Sequence, residues 1–304
     1  ERLARVQEAT DPVVIAVTRN ETALLPHFLA HYRGLGIRHF LVVDNLSDDG
    51  TREYLAGEED VILFSAETDY RNARFGVAWQ QALAAHLDPG RWVVIADADE
   101  FLVFRGMERR PLAEHLAAAE AEGADALACR MVDFFPDGPI ETFDLAALPR
   151  FTLEGLCFDA EPHLRAALAD GKFGNVEIIQ SRTRYALFPY AEPRQFTCNK
   201  MPVLRTGPFL RFAEGIHSVA NARLASEPVF YAHLKFHAGL LPKVEAEAAR
   251  GQHFDGAAEY RHFTDGFRDE RTIGAGEPVA FTDSETFCAL MERSATGGAT
   301  DGGS

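Results

Sequence analysis

Cysteine is scarce in this sequence. The 304 residues hold four, Cys129, Cys157, Cys198 and Cys288. No two stand at zinc-ribbon or redox-motif spacing, which excludes a disulfide scaffold and leaves free thiols as the expectation. No apolar run approaches the ~20 residues that span a bilayer, so no transmembrane segment is expected. Positive charge is in deficit: 30 Lys and Arg against 46 Asp and Glu give a formal net charge of −16. That balance opposes a protein that coats nucleic acid or lies on anionic lipid. It admits a small anionic ligand, because a metal ion or a local Arg cluster reverses the field inside one cleft. Two glycine-rich phosphate motifs are also missing. Without G-x-x-x-x-G-K-[ST] there is no P-loop ATPase site, and without G-x-G-x-x-G after the first apolar run there is no dinucleotide fold of the usual kind. With 47% hydrophobic and 25% charged residues, the chain has the composition of a globular protein.

Short apolar runs alternate with helical patterns over the first hundred residues. Val13 to Val17, His39 to Val43, Asp60 to Phe64 and Trp92 to Ala96 read as strands buried on both faces. Residues 22–35, 51–55 and 74–87 read as helices, the last stopped by Asp88-Pro89-Gly90. This β-α-β-α order predicts an α/β fold with a mainly parallel, Rossmann-like sheet flanked by helices. Ligands of such sheets sit outside the carboxyl ends of the strands. The polar clusters Thr18–Glu21, Asp44–Asp49 and Asp97–Glu100 are therefore expected at one crevice.

The pattern changes after residue 112. A helix over 112–122 and a strand over 126–132 precede a long stretch, 133–200, rich in aromatics, Pro and Arg. Strands at 201–204 and 228–234 and a helix at 240–250 follow. The expected organisation is one domain over 1–290, with a nucleotide-binding half at 12–110 and an acceptor and metal-completing half at 111–290. Residues 291–304 read as a disordered tail. The first residue is Glu1, not Met, which suggests a piece cut from a longer protein.

Asp97-Ala98-Asp99 follows an apolar strand directly. Carboxylates at i and i+2 leave the same face of a strand end, so both can approach one hard cation. Oxygen ligands suit Mg²⁺ or Mn²⁺, which in turn hold phosphates. An aspartyl-nucleophile phosphatase would carry D-x-D after its first strand; here it follows the fourth. In Asp44-Asn45-Leu46-Ser47-Asp48-Asp49-Gly50-Thr51, side chains can accept hydrogen bonds from a base or ribose. Ser47 or Asp48 could instead cap the helix at Thr51.

These residues resemble a known group. Thr18-Arg19-Asn20-Glu21, the segment Val43 to Thr51, and Ile95-Ala96-Asp97-Ala98-Asp99-Glu100-Phe101-Leu102 look like a family 2-like glycosyltransferase of GT-A fold. The nearest branch is bacterial, with a D-x-D-E-F metal motif. The resemblance covers residues 13–104 and continues loosely through Asn199-Lys200, Gly215-Ile216-His217, Ala232-His233-Leu234-Lys235 and 243–251.

The resemblance implies a nucleotide-diphospho-sugar donor, with UDP the commonest carrier, a Mn²⁺ or Mg²⁺ cofactor, and a carbohydrate or lipid-linked acceptor, as in polysaccharide biosynthesis. Asp44 would meet the nucleobase, with Thr18, Arg19, Asn20 and Glu21 lining the nucleotide pocket. Asp97 and Ala98 would lie near the ribose and metal, and Asp99 would ligate the metal. Arg71, Arg74 and Lys235 would meet phosphate charge. A later His is often the third ligand in this fold; His233 is favoured over His217, while His237 reads as structural. The base for an inverting transfer is sought among Asp133, Asp137 and Glu214, and aromatics between Phe134 and Tyr190 suggest an acceptor wall. Two rivals stand beside this reading: a nucleotidyltransferase, and a catalytically silent nucleotide- or carbohydrate-binding module. The expected location is cytoplasmic, with any membrane association supplied by parts outside this chain.

Overall fold

The apolar runs of the first hundred residues form four parallel strands: β1 (Val13–Thr18), β2 (Phe40–Asp44), β3 (Val61–Ser65) and β4 (Trp92–Ile95). The structure is a computed structural model that describes residues 2–162, 164–170, 174–188, 197–208, 210–212, 216–220, 222–251, 273–274 and 276–296. The order across this part of the sheet is β3-β2-β1-β4. The chain winds outward from β1 to β3, then returns to the other side of β1 for β4. A crevice opens where the order reverses, beyond the ends of β1 and β4.

Alternation along each strand divides the core. Val14, Ala16, Val42 and Val94 pack with Phe28, Leu29 and Tyr32 of α2 (Leu25–Gly34) and Leu116 of α5 (Leu112–Ala121). Val13, Ile15, Leu41, Val93 and Ile95 pack with Val77 and Ala84 of α4 (Val77–Ala85). Both faces are covered, which is why these strands read as unbroken apolar runs. Each Val or Ile so buried contributes about 1.5–3 kcal/mol. Two short helices, α1 (Arg2–Glu8) and α3 (Thr51–Gly57), complete this half.

The second half inserts antiparallel strands. β10 (Asn199–Arg205) lies between β4 and β6 (Ala126–Phe135), antiparallel to both. β13 (Val229–His233) runs parallel to β6 and antiparallel to β5 (Glu100–Val103), bringing His233 opposite both Asp133 and Glu100. β7 (Cys157–Phe158) and β14 (Val279–Ala280) extend the sheet. The hairpin β8 (Leu164–Asp170) with β9 (Gly174–Gln180), the helix α6 (Arg182–Leu187) and the pair β11 (Arg211–Phe212) with β12 (Val219–Ala220) flank it. Helices α7 (Leu240–Arg250) and α8 (Ser284–Thr296) follow. The α/β class and the mainly parallel, helix-flanked sheet are as the sequence implies.

Three local expectations differ. The helix expected from residue 74 begins at Val77, because Arg74, Phe75 and Gly76 have φ of 53°, 56° and 83°. A left-handed run cannot continue into a right-handed helix. Neither Ser47 nor Asp48 caps α3; Gly50 stands at the cap with φ 93°, and Asp49 Oδ1 accepts the Thr51 N–H at 3.0 Å. The boundary of the tail is also later than expected. α8 runs to Thr296, with Phe287, Cys288 and Met291 buried, and the Phe287 ring meets Phe134, Phe158 and Phe230. Asp283 caps the start of this helix, its Oδ1 accepting the Thr286 N–H at 2.8 Å. Residues 297–304 lie outside the described residues.

Among the described residues, no helix is long and apolar enough to cross a membrane.

Candidate functional site

The loops after β1 and β2 interlock. Asn20 donates from its side chain to Asp48 Oδ1 at 2.8 Å, and its own Oδ1 accepts the Asp48 N–H at 3.0 Å. The Asn20 N–H donates to Ser47 Oγ, Glu21 N–H to Thr51 Oγ1, and Thr22 to Asp49. Arg19 donates to the carbonyls of Asn45 and Leu46 at 3.0 and 2.8 Å. Asn45 extends the lattice to the β3 loop through the carbonyls of Ala66 and Thr68. Most polar side chains of these two motifs thus hold the rim in shape. Asn20 and Leu46 adopt positive φ at the bends.

Two side chains in this rim are not consumed. Thr18 and Asp44 are register partners at the ends of β1 and β2, and both are buried. Asp44 Oδ2 faces the Ser47 N–H at 3.4 Å and Arg52 at 3.7 Å. Asp44 Oδ1 and Thr18 Oγ1 have no hydrogen-bond partner among the described residues. A buried oxygen without a partner costs roughly 1–3 kcal/mol, and here two stand side by side on neighbouring strands.

The β4 loop brings the D-x-D-E segment to the same rim. Glu100 Oε2 accepts the Asp97 N–H at 3.1 Å, and the Glu100 N–H donates to the Asp97 carbonyl at 3.0 Å, closing a tight turn. Lys200 from β10 pairs with the buried Glu100 and stands 3.7 Å from Asp97. Burial works against the Lys200 charge, but Glu100 and Asp97 hold its pKa above the usual lysine range. Asp97 keeps a half-exposed side chain, and Ala98 turns into the core.

Asp99 looks the other way, toward β13. Its Oδ2 lies 3.3 Å from His233 Nε2, and its carbonyl accepts the Leu234 N–H at 2.8 Å. The far side of His233 meets Asp133, with Nδ1 2.7 Å from Oδ1. Asp133 in turn takes a fork from Arg184, at 3.0 Å from Nε and 2.8 Å from Nη2, and a hydrogen bond from Ser181 Oγ at 2.6 Å. Burial raises the Asp99 pKa, yet the His233, Lys235 and Lys243 charges hold it well below the carboxylate range. Burial likewise opposes the His233 charge, and Asp99 and Asp133 overcome it and raise its pKa.

The remaining sequence candidates fall into separate groups. Glu21 pairs with Lys243 of α7; burial pushes its pKa up to about 7 against the pull of that lysine, and Asp99 is near enough to add to the rise. Lys235, half-buried beyond β13, acts electrostatically on both Asp99 and Glu21. Arg71 donates to the Gly251 carbonyl at the end of α7, and Arg74 to the Phe212 carbonyl at 3.2 Å. His217 is bound to the Asn199 carbonyl through Nδ1 at 2.7 Å, and burial lowers its pKa to about 4. Asp137 sits exposed on the turn after β6, and Glu214 lies outside the described residues. Asp133 is too tightly held to abstract a proton: it is ion-paired, buried, and its pKa lies far below the usual range because Arg184 and His233 outweigh burial.

Of the expected acceptor wall, Phe134, Phe135, Phe158 and Phe188 are buried core. Phe151 borders a cavity of about 700 Å³ beside α2, together with His27, His31 and Leu148. That hollow is lined by none of Asp44, Asp99 and His233. Reading the sequence alone passed over Ser181 and Arg184 and gave no role to Lys200 or Lys243. Arg184 had one available signal, the Ser-x-x-Arg start of a short helix: Ser181 Oγ accepts its N–H at 3.2 Å.

No family model and no curated protein matches this sequence. Solved structures do. One is a 4-diphosphocytidyl-2C-methyl-D-erythritol synthase, 13% identical over 93% of this chain and 99% of that one, with a TM-score of 0.29. Another, described as a glucose-1-phosphate thymidylyltransferase from Bacillus anthracis, is 10% identical over 97% and 98%, with a TM-score of 0.33. A third, HddC from Yersinia pseudotuberculosis, is 8% identical over 64% and 74%, with a TM-score of 0.30. Likeness at this level carries no argument about activity, and the α/β class stands on the strand order itself.

Proposed function

We propose that this protein is a metal-dependent glycosyltransferase that moves a sugar from a nucleotide-diphospho-sugar to an acceptor hydroxyl. One observation carries the reading. The buried, unpartnered oxygens of Thr18 and Asp44 share a rim with the Asp99–His233 pair, on the side of the sheet where its order reverses.

An ionised carboxylate accepts hydrogen bonds and cannot donate them. With Oδ2 already engaged, Asp44 offers one oxygen, which matches the single N–H of a uracil or thymine imide. UDP is the carrier this favours. Among the described residues no three His, Cys, Asp or Glu side chains gather round one point. Asp99 and His233 nonetheless fit a divalent cation that takes its other ligands from phosphate and water, as Mg²⁺ commonly does. When bound, such a cation stabilises charge on the departing diphosphate. Lys235 and Lys243 would add positive charge on the same side, and the Glu100–Lys200 pair keeps the D-x-D turn closed. Asp137, exposed on the turn after β6, and Glu214 are the remaining candidates to accept the hydroxyl proton.

A nucleotidyltransferase is the second reading, and the thymidylyltransferase description quoted above names such an activity. Thr18-Arg19-Asn20-Glu21 opposes it, because the segment has no glycine and its Arg19 and Asn20 side chains are spent on the β2 loop. One experiment separates the readings. The protein is incubated with a panel of nucleotide-sugars, and separately with nucleoside triphosphates plus sugar 1-phosphates, each with and without Mn²⁺. Slow, Mn²⁺-dependent release of UDP and free sugar is expected. Pyrophosphate release from a triphosphate would replace this proposal with the second reading, and binding without turnover in either arm would mean a silent module.

A further inference from the structure

The structure carries a buried polar column of which the transfer reaction, as proposed, uses only the far end, His233 and Asp99. It runs from the Arg184 guanidinium through Asp133 to His233 and ends at Asp99. Arg184 and Asp133 have almost no exposed side-chain surface. Burying such a pair gains little stability, since desolvation offsets most of the attraction. Its position explains it better. Asp133 is fixed from two sides, by the Arg184 fork and by Ser181 Oγ, with Oδ1 left 2.7 Å from His233 Nδ1.

We propose that Asp133, locked by Arg184 and Ser181, is a positioning residue that holds the His233 ring with its proton on Nδ1, so that the Nε2 lone pair faces Asp99 and a divalent cation. The inference rests on the metal reading above. A guanidinium has only donors and an ionised carboxylate only acceptors, so Asp133 accepts the Nδ1 proton. Arg184 Nη2 also lies 2.9 Å from Nδ1, which defines the competing arrangement. There Nδ1 accepts from Arg184, and Nε2–H donates to Asp99 across 3.3 Å. In that tautomer Nε2 has no lone pair for a metal. For the neutral ring that a cation requires, the choice between the two tautomers decides whether Nε2 can be the ligating atom. Carboxylates behind ligating histidines play this orienting part widely, and their loss costs about ten- to hundredfold in metal affinity.

Two measurements test it. The first uses the unaltered protein with ¹⁵N-labelled histidine, loaded with Mg²⁺ and UDP. Nitrogen-edited NMR should find the His233 proton on Nδ1; a proton on Nε2 overturns the proposal. The second follows Mn²⁺ by the paramagnetic resonance of the free ion. Asp133→Leu with Arg184→Met replaces the ion pair by apolar groups of similar bulk and is expected to fold. Its Mn²⁺ affinity should fall about ten- to hundredfold, with the melting temperature held and UDP binding in EDTA unchanged. Asp133→Asn, which keeps an acceptor for Nδ1–H, should recover part of the loss. A folded double variant with wild-type Mn²⁺ affinity overturns the positioning role. His233→Gln is the control for the reading beneath it. If His233→Gln weakens Mn²⁺ and the double variant does not, the positioning role alone fails. If His233→Gln changes nothing, the metal assignment falls, and this proposal with it.

Discussion

The loops after β1 and β2 hold one another across 27 to 30 residues of chain: Asn20 on Ser47 and Asp48, Glu21 on Thr51, Thr22 on Asp49. The opposite side of the crevice is assembled from remote pieces, with Asp99, Asp133, Arg184 and His233 arriving from a turn, two strands and a short helix. The first rim is a lattice of exposed or half-exposed hydrogen bonds. The second is a buried column of charge. A lattice of many small bonds tolerates the loss of one member, whereas a buried column does not.

That contrast can be broken in four ways. The largest effect is expected from Arg184→Met alone. It strands Asp133 as an uncompensated buried charge and should cost about 3–5 kcal/mol by denaturant unfolding. A cost below 1 kcal/mol would mean the column is hydrated and no different from the lattice. Asp99→Asn comes next. It should lower metal-dependent UDP binding by at least about a hundredfold, beyond the range of outer residues, with a smaller loss of stability than Arg184→Met because it leaves no charge uncompensated in the buried Asp133–Arg184 pair. Normal Mn²⁺ and UDP binding by that variant would remove the metal site. Asp44→Ala should weaken UDP by about tenfold or more, as expected for a hydrogen bond to a charged group, and leave Mn²⁺ affinity unchanged. Equal loss of both would make Asp44 a structural residue like its neighbours. Asn20→Ala tests the lattice itself. Calorimetry should read a loss of about 1 kcal/mol, and a loss as large as that of Arg184→Met would erase the contrast.

A fifth measurement lies outside the crevice. His115 on α5 is buried, and burial together with the Arg110 charge lowers its pKa to about 4. Below its unfolded value near 6.5 the unfolded chain takes up a proton that the folded chain refuses. Stability is therefore full above that pH and declines as pH falls toward 4, by roughly 1 kcal/mol at pH 6. The melting temperature of His115→Gln should depend less steeply on pH across this window than that of the wild type.

The same contrast explains what could be read from the sequence. Runs such as Val13 to Val17 announce strands because burial on both faces leaves no polar position. Asp44 and Asp99 stood out because a carboxylate directly after such a run needs an explanation. His233 could be chosen over His217 because it ends a strand, and the structure gives the two different surroundings: His233 lies between carboxylates, and His217 is tied to the Asn199 carbonyl. Ser47 and Asp48 were misjudged as caps, since capping is local and their partner, Asn20, is 27 or 28 residues away. Asp133 looked like a base because a sequence shows a carboxylate without the guanidinium that neutralises it. That guanidinium sits 51 residues further on, in a stretch with no periodicity to place it.

The insertion of β10 between β4 and β6 has a consequence for the nascent chain. Residues 1–125 can pair β1 with β2 and β4, and β2 with β3, but the outer edge of β4 waits for residues 199–205. Until those leave the ribosome, Trp92 to Ile95 present an apolar strand with open hydrogen-bonding groups, the kind of edge on which other chains stack. Translation that stalls between β6 and β10 would release a half-built sheet that sticks to its own kind.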